Sequence, residues 1–203
     1  EHAVGRVIAR PFVGESPETF TRTSGRHDYP VSAPESTMMD RLLEAGLSVY
    51  ATGKIDDLFG HRGITRTHHT VDNKESTDAL IRFLDIPFTG LLFTNLIETD
   101  MIYGHRNNPE GYAQKIIEFD KRIPEIRQAM APGDAAMIVS DHGVDPTTKS
   151  TDHSREYVPL LVFGEGVRHG VDLGTRSSFA DVGATIAQNF SIKPPSIGTS
   201  FLS

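Results

Sequence analysis

From Ser36 onward the apolar positions alternate between a helical and a strand period. Met38, Leu42 and Leu43 fall on one helical face, Gly46 ends that helix, and Leu47-Ser48-Val49-Tyr50-Ala51 reads as a strand. A second helix is expected over Asp78 to Phe83. It precedes Gly90-Leu91-Leu92-Phe93-Thr94-Asn95-Leu96, which is apolar on both faces in the manner of a buried parallel strand. Pro109 and Glu110 open a third helix in which Tyr112, Ile116, Phe119 and Ile123 recur at helical spacing, and Pro124 should kink or end it. Ala135 to Ser140 and Val158 to Phe163 read as further short apolar strands. Ser178 and Asp181 make a capping-box pattern ahead of Phe179, Val182, Ile186 and Phe190, a fourth amphipathic helix.

Residues 1 to 35 show no such period and are rich in Pro, Gly, Ser, Thr and Arg, which marks connector and loop. Beyond them, helices alternating with strands predict an α/β fold: a mostly parallel sheet flanked by helices, with ligand sites beyond the carboxyl ends of the strands. Composition narrows the function. The chain has 203 residues and 37% hydrophobic content, enough for one sizeable core or a core with a small appendage. Its 20 basic and 27 acidic residues give a formal charge of -7 with no long like-charge run, so nucleic acid is not an expected partner. With no cysteine, disulfides and thiolate metal sites are excluded, and any metal must rest on His, Asp and Glu. No signal-peptide stretch or membrane span is visible, so a soluble cytoplasmic protein is expected. The chain opens on Glu1 and enters what reads as a strand at Val7-Ile8-Ala9, so its natural N-terminus is expected upstream.

Three polar clusters each follow an apolar strand. Asp100-Met101-Ile102-Tyr103-Gly104-His105 places a carboxylate and an imidazole where one loop can turn both toward an ion. Asp141-His142-Gly143 offers an oxygen and a nitrogen ligand side by side, with a glycine that permits a tight backbone. Thr151-Asp152-His153 comes third. Alone, each pair also fits a solvated loop or a helix cap; together and in this order they point to a metal centre. Oxygen and nitrogen donors without sulfur suit Mn, Zn, Fe or Mg, and the carboxylate content leans toward Mn or Mg. His2, His27, His61, His68, His69 and His169 lack such a setting and read as surface or loop residues.

The runs Asn95 to Arg106, Ser140 to Thr148 and Ser150 to Leu160 resemble the phosphopentomutase family of the alkaline phosphatase superfamily, and a C-terminal portion of it only. The likeness extends to Arg6-Val7-Ile8-Ala9-Arg10-Pro11-Phe12, Phe20 to Thr23, Gly53-Lys54-Ile55, Phe179 to Thr185 and Gly198 to Leu202. It implies an isomerase of nucleoside catabolism that interconverts the 1- and 5-phosphates of ribose and deoxyribose. The means are two Mn ions, a phosphothreonine and a sugar bisphosphate, which serves as activator and intermediate. By the same resemblance Asp100, His105 and His153 bind one metal, Asp141 and His142 the other, and Arg6, Arg22 and Lys54 contact substrate phosphate. Arg10 and Arg26 are rivals for that role, and Thr147, Thr148 and Lys149 shape the loop that aims His153. Residues 1–35 become the end of a cap domain with its crossover connector, and 36–203 the C-terminal part of the metal-binding core. The family's Thr nucleophile and one Asp ligand have no counterpart in this sequence. The expectation is therefore a chain inactive alone, packing against a missing N-terminal segment of the same protein. Another phosphomutase or phosphodiesterase of the superfamily, or an inert metal-stabilised domain, stands as the alternative.

Overall fold

The structure, a computed structural model, describes residues 5–23, 27–31 and 33–202; the side chains of Arg6, Arg22, His27 and Asp28 lie outside that description. The N-terminal region holds two small antiparallel ribbons: the strand expected at Val7-Ile8-Ala9 is present, and the other three strands stand where the sequence suggested connector and loop. β1 (Arg6–Ala9), β2 (Phe12–Val13), β3 (Thr21–Arg22) and β4 (His27–Pro30) pair as β1 with β4 and β2 with β3. Strands of two to four residues are too short to display a period of two.

The next segment builds the sheet. α1 (Met38–Glu44) leads into β5 (Ser48–Thr52), then α2 (Ile55–Leu58), β6 (Arg66–His68), α3 (Asn73–Leu84) and β7 (Gly90–Thr94). The three strands are parallel in the order β6-β5-β7, with Tyr50 opposite Arg66 on one side and Leu92 on the other. This is the expected α/β architecture, a parallel sheet flanked by helices. α1 begins with a capping box that the sequence reading passed over: Thr37 Oγ1 accepts the Asp40 amide at 3.2 Å and the Asp40 carboxylate accepts the Thr37 amide at 2.7 Å. α3 is longer than its apolar stretch suggested. Its first half is polar, with Ser76 and Thr77 buried while their hydroxyls bond back to the carbonyls of Asp72 and Asn73.

After β7 come α4 (Pro109–Asp120) and α5 (Ile123–Ala129), with Pro124 in the first turn of the second helix, where a missing amide costs nothing. β8 (Ala135–Val139) and β9 (Leu160–Gly164) then form their own antiparallel pair, apart from the parallel sheet, with Val139 opposite Leu160. Parallel strands need a crossover connection, usually a helix. Residues 140–159 contain none and instead fold back as loop. Val139 and Leu161 are accordingly exposed rather than buried on both faces. α6 (Ala180–Asn189) is the last helix among the described residues. The Ser178–Asp181 capping box does not form: Asp181 is buried and accepts instead from Arg176 Nε and the Thr199 amide, both at 2.8 Å, which pins the C-terminal residues to α6.

The core follows from alternation along β5. Val49 and Ala51 face Met39 and Leu42 of α1 and Ile55 of α2, with Ile186 and Phe190 of α6 packed against them. Tyr50 contributes to the other face, its ring 5.2 Å from Phe83 of α3 and 4.4 Å from Phe88. Burial of a side chain such as Leu42, fully inaccessible, contributes about 1.5–3 kcal/mol. Among the described residues no helix is long and apolar enough to cross a membrane.

Candidate metal centre

Both ligand-bearing segments leave strand ends. At the carboxyl ends of β5 and β7, the Asn95 amide extends the ladder to the Thr52 carbonyl and the Thr52 and Thr94 hydroxyls meet at 3.0 Å. The loops that follow run so close that a Cβ on Gly53 would lie 2.4 Å from the Asn95 carbonyl oxygen, and Gly53 has φ 75°. Past Asn95 the chain enters a π turn, Thr99–Tyr103, and then a 3₁₀ turn, Gly104–Arg106. Asp100 sits on the first and His105 on the second, so a helical ratchet rather than a plain loop brings them to one side. Asn107 ends it at φ 49°, a left-handed conformation that Asn tolerates.

The other candidate ligands lie on the long loop of the β8–β9 hairpin. A bridge between Gly143 and Ser154, with the Ser154 amide donating to the Gly143 carbonyl at 2.9 Å, closes that loop on itself. It brings His142 and His153 together, their rings stacked with centroids 3.5 Å apart. Asn107 Nδ2 donates to the Thr148 carbonyl at 2.6 Å and His105 Nδ1 to that of Thr151, so the two segments are stitched by main-chain acceptors.

The result is one contiguous cluster. His153 Nε2 lies 3.4 Å from Asp100 Oδ1 and His105 Nε2 lies 3.3 Å from Asp100 Oδ2, one imidazole for each carboxylate oxygen. Ligand atoms of Asp100, His142 and His153 all lie within 4.8 Å of one another. Asp141 stands at the rim, 75% exposed, with Oδ1 3.6 Å from His142 Nε2. Asp100 Oδ1 is buried without a hydrogen-bond donor among the described residues. An unsatisfied carboxylate oxygen is costly there, and a divalent cation would satisfy it. Two histidines are prepared for the same role: His105 Nδ1 donates to the Thr151 carbonyl and His142 Nδ1 to the Gly143 carbonyl at 3.1 Å, which leaves the Nε2 lone pair of each to coordinate a cation. The residues present therefore fit a divalent metal.

Lys54, just past Gly53, extends Nζ to within 3.7 Å of Met101 Sδ and so borders the turn that carries Asp100. The side chains of Arg6 and Arg22 and all of Arg26 lie outside the described residues, and Arg10 is exposed. Thr148 does meet the site through its carbonyl, and Asp145 Oδ1 holds the preceding turn by accepting both the Thr147 amide and hydroxyl. His61, His69 and His169 are exposed, and His68 is not part of the cluster; His2 and the His27 side chain lie outside the description. Tyr112 escaped the sequence reading as a site residue because it fits the apolar period of α4. Burial first, and then the Asp100 and Asp141 carboxylates, push its phenol above the ordinary range. Asn107 was missed as well, although Asn next to a helical turn is a signal for a left-handed cap.

Comparison with known proteins agrees with this chemistry. The family model of the metalloenzyme superfamily matches residues 14–194. The phosphopentomutase of Herpetosiphon aurantiacus is 58% identical over 203 residues, which is 100% of this chain and 52% of that protein. The phosphopentomutase of Carboxydothermus hydrogenoformans is 51% identical over 201 residues, 99% of this chain and 51% of that protein. That of Caldanaerobacter subterraneus subsp. tengcongensis is 50% identical over 202 residues, 100% of this chain and 51% of that protein. The chain spans about half the length of the curated relatives it matches.

Proposed function

Since the chain belongs to the metalloenzyme superfamily, we propose that it forms the metal-holding part of a phosphopentomutase, an isomerase moving phosphate between the 1- and 5-positions of ribose and deoxyribose. The observation that carries this is the approach of His105 Nε2 and His153 Nε2 to the two oxygens of Asp100 at 3.3 and 3.4 Å, with a ligand atom of His142 within 4.8 Å of those of Asp100 and His153, beside relatives bearing that name. In this reading Asp100, His105 and His153 hold one divalent cation, with Asp141 and His142 on a second, and manganese is the metal. Ions held there would neutralise phosphate oxygens and would supply charge stabilisation for an in-line displacement.

The chain's own side chains orient and bind. The Thr151 and Gly143 carbonyls fix the tautomers of His105 and His142, so that both present Nε2. Lys54 supplies a compact charge to substrate phosphate at the border of the π turn, and Arg6 and Arg22 supply bidentate donors. Residues 1–35 then correspond to the end of a cap domain and its connector, and 36–203 to the metal-binding core. By the family resemblance, the phosphothreonine and one further Asp of such an enzyme are expected outside these 203 residues, in keeping with a chain that spans about half the length of its relatives. The chain alone is thus expected to bind cation without turnover, packing in the complete enzyme against a further segment of the same protein in the cytoplasm, with a sugar bisphosphate as activator.

Thermal unfolding of the chain with and without Mn tests the metal reading: the midpoint should rise with Mn, and His153→Ala should abolish the rise. A midpoint indifferent to Mn at millimolar concentration overturns it. A coupled assay of a chain that also carries the Thr and Asp, given ribose 1-phosphate, Mn and a sugar bisphosphate, should show turnover that the present chain lacks. Equal turnover by both would show that the nucleophile is not needed.

A further inference from the structure

Asp100 stands on a π turn, a rare element frequent at functional sites. The residues just before it are docked by a reciprocal pair of hydrogen bonds. Glu98, 9% exposed, and Asn73, 8% exposed and the first residue of α3, exchange hydrogen bonds in both directions. The Asn73 amide donates to Glu98 Oε2 at 2.8 Å, and the Glu98 amide donates to Asn73 Oδ1 at 2.9 Å. Asn73 Nδ2 adds a bond to Thr99 Oγ1 at 3.2 Å, so one side chain grips two successive residues ahead of Asp100.

A buried carboxylate is costly unless it is compensated. Glu98 is compensated from two sides, by the free amide and positive end of α3 and by Lys115 of α4, whose Nζ lies 3.6 Å from Oε1. Neither Asn73 nor Glu98 belongs to the ligand cluster. Their side chains are spent instead on anchoring the exit of β7 to the start of α3, one and two residues from the ligand.

We infer that Asn73 and Glu98 are positioning residues for the metal centre: their reciprocal pair docks the Glu98–Thr99 segment on the N-terminus of α3 and thereby aims the Asp100 carboxylate at the cation. The inference rests on the reading of Asp100 as a cation ligand. Support of this kind around a metal ligand is worth about 10- to 100-fold in affinity.

Mn binding, measured by the electron paramagnetic resonance signal of free Mn, and the unfolding midpoint without metal should be determined for the chain, Asn73→Ala, Glu98→Ala and Glu98→Gln. Asn73→Ala and Glu98→Ala should bind Mn about 10- to 100-fold more weakly. Glu98→Gln keeps an acceptor for the Asn73 amide and should stay much closer to the parent. A purely structural pair would lower the metal-free midpoint and leave Mn affinity unchanged, and that result overturns the inference. Thr99→Val, which deletes only the Asn73 Nδ2 bond, covers the case in which Asn73→Ala does not fold. About 2- to 10-fold weaker binding is expected of it, and unaltered binding would again overturn the inference. Absence of Mn binding by the parent chain would instead strike the metal reading itself, a distinct outcome.

Discussion

Gly143→Ala is the most informative single change at the hairpin. A Cβ built on Gly143 would stand 2.4 Å from Glu156 Oε2, 2.9 Å from the Glu156 amide nitrogen and 3.0 Å from the Ser154 carbonyl oxygen. The Glu156 carboxylate can swing away, but the other two are main-chain atoms, so one limb of the loop must move. The first casualty is the Gly143–Ser154 bridge, and with it the register that stacks His142 on His153 at 3.5 Å. Displacing the support of a metal ligand costs about 10- to 100-fold in affinity. With Mn well above its dissociation constant, that removes about 1.4–2.7 kcal/mol of ligand-induced stabilisation. For a chain of this size it corresponds to about 3–11 °C of the Mn-dependent rise in unfolding midpoint. Differential scanning fluorimetry with and without Mn reads this difference directly, since any metal-free loss is subtracted. A Gly143→Ala chain whose midpoint climbs with Mn as far as the parent's would refute the reasoning.

Leu42→Ala is the matching control: at a fully buried position it should lower the metal-free stability by about 2–5 kcal/mol in urea unfolding while leaving the Mn-induced increment intact. Asp40→Asn probes the α1 cap through pH. Burial works to raise the Asp40 carboxyl, but the amide and hydroxyl of Thr37 and the Arg62 guanidinium outweigh it, so its folded pKa lies below the ordinary value. A depressed carboxyl stabilises above its unfolded pKa and loses that contribution as pH falls through the folded one. The parent should therefore exceed the variant by about 1–2 kcal/mol near neutral pH, and the gap should close below about pH 4; a gap constant from neutral pH to about pH 3 contradicts the assignment.

Where a long element carried its apolar residues on one face, the sequence announced it. α1, β5, β7, β8, β9 and α6 lie at the expected places with edges shifted by a residue or two, and α4 starts where expected but stops at Asp120, so that Ile123 and Pro124 open α5 instead of closing α4. What escaped was short or polar. α2 has four residues and β6 three, neither long enough for a period to show. The first half of α3 hides buried Ser76 and Thr77 behind hydroxyls that bond to its own backbone, so burial there leaves no apolar trace. The direction of β8 and β9 was illegible for another reason: an apolar strand looks the same whether its neighbour runs parallel or antiparallel, and only the absence of a crossover helix in residues 140–159 decides it.

That antiparallel pair matters for the site. Asp100 and His105 issue from the parallel sheet, whereas Asp141, His142 and His153 issue from a hairpin belonging to a different sheet. Sequence could mark each cluster because Asp and His after an apolar strand are conspicuous. It could not show that His142 would meet His153 through a bridge at Gly143, or that the two groups are joined by the carbonyls of Thr148 and Thr151, since main-chain acceptors carry no residue signature. The candidate ligand set spans a seam stitched by these hydrogen bonds and by the His153 imidazole, which approaches the Asp100 carboxylate from the hairpin side. A divalent ion at Asp100 would fasten the hairpin to the parallel sheet as a cross-link of its own. Metal binding should consequently protect backbone amides across residues 140–159 from hydrogen exchange, not only those beside the ligands, and protection confined to the ligand residues would show that the seam holds without it.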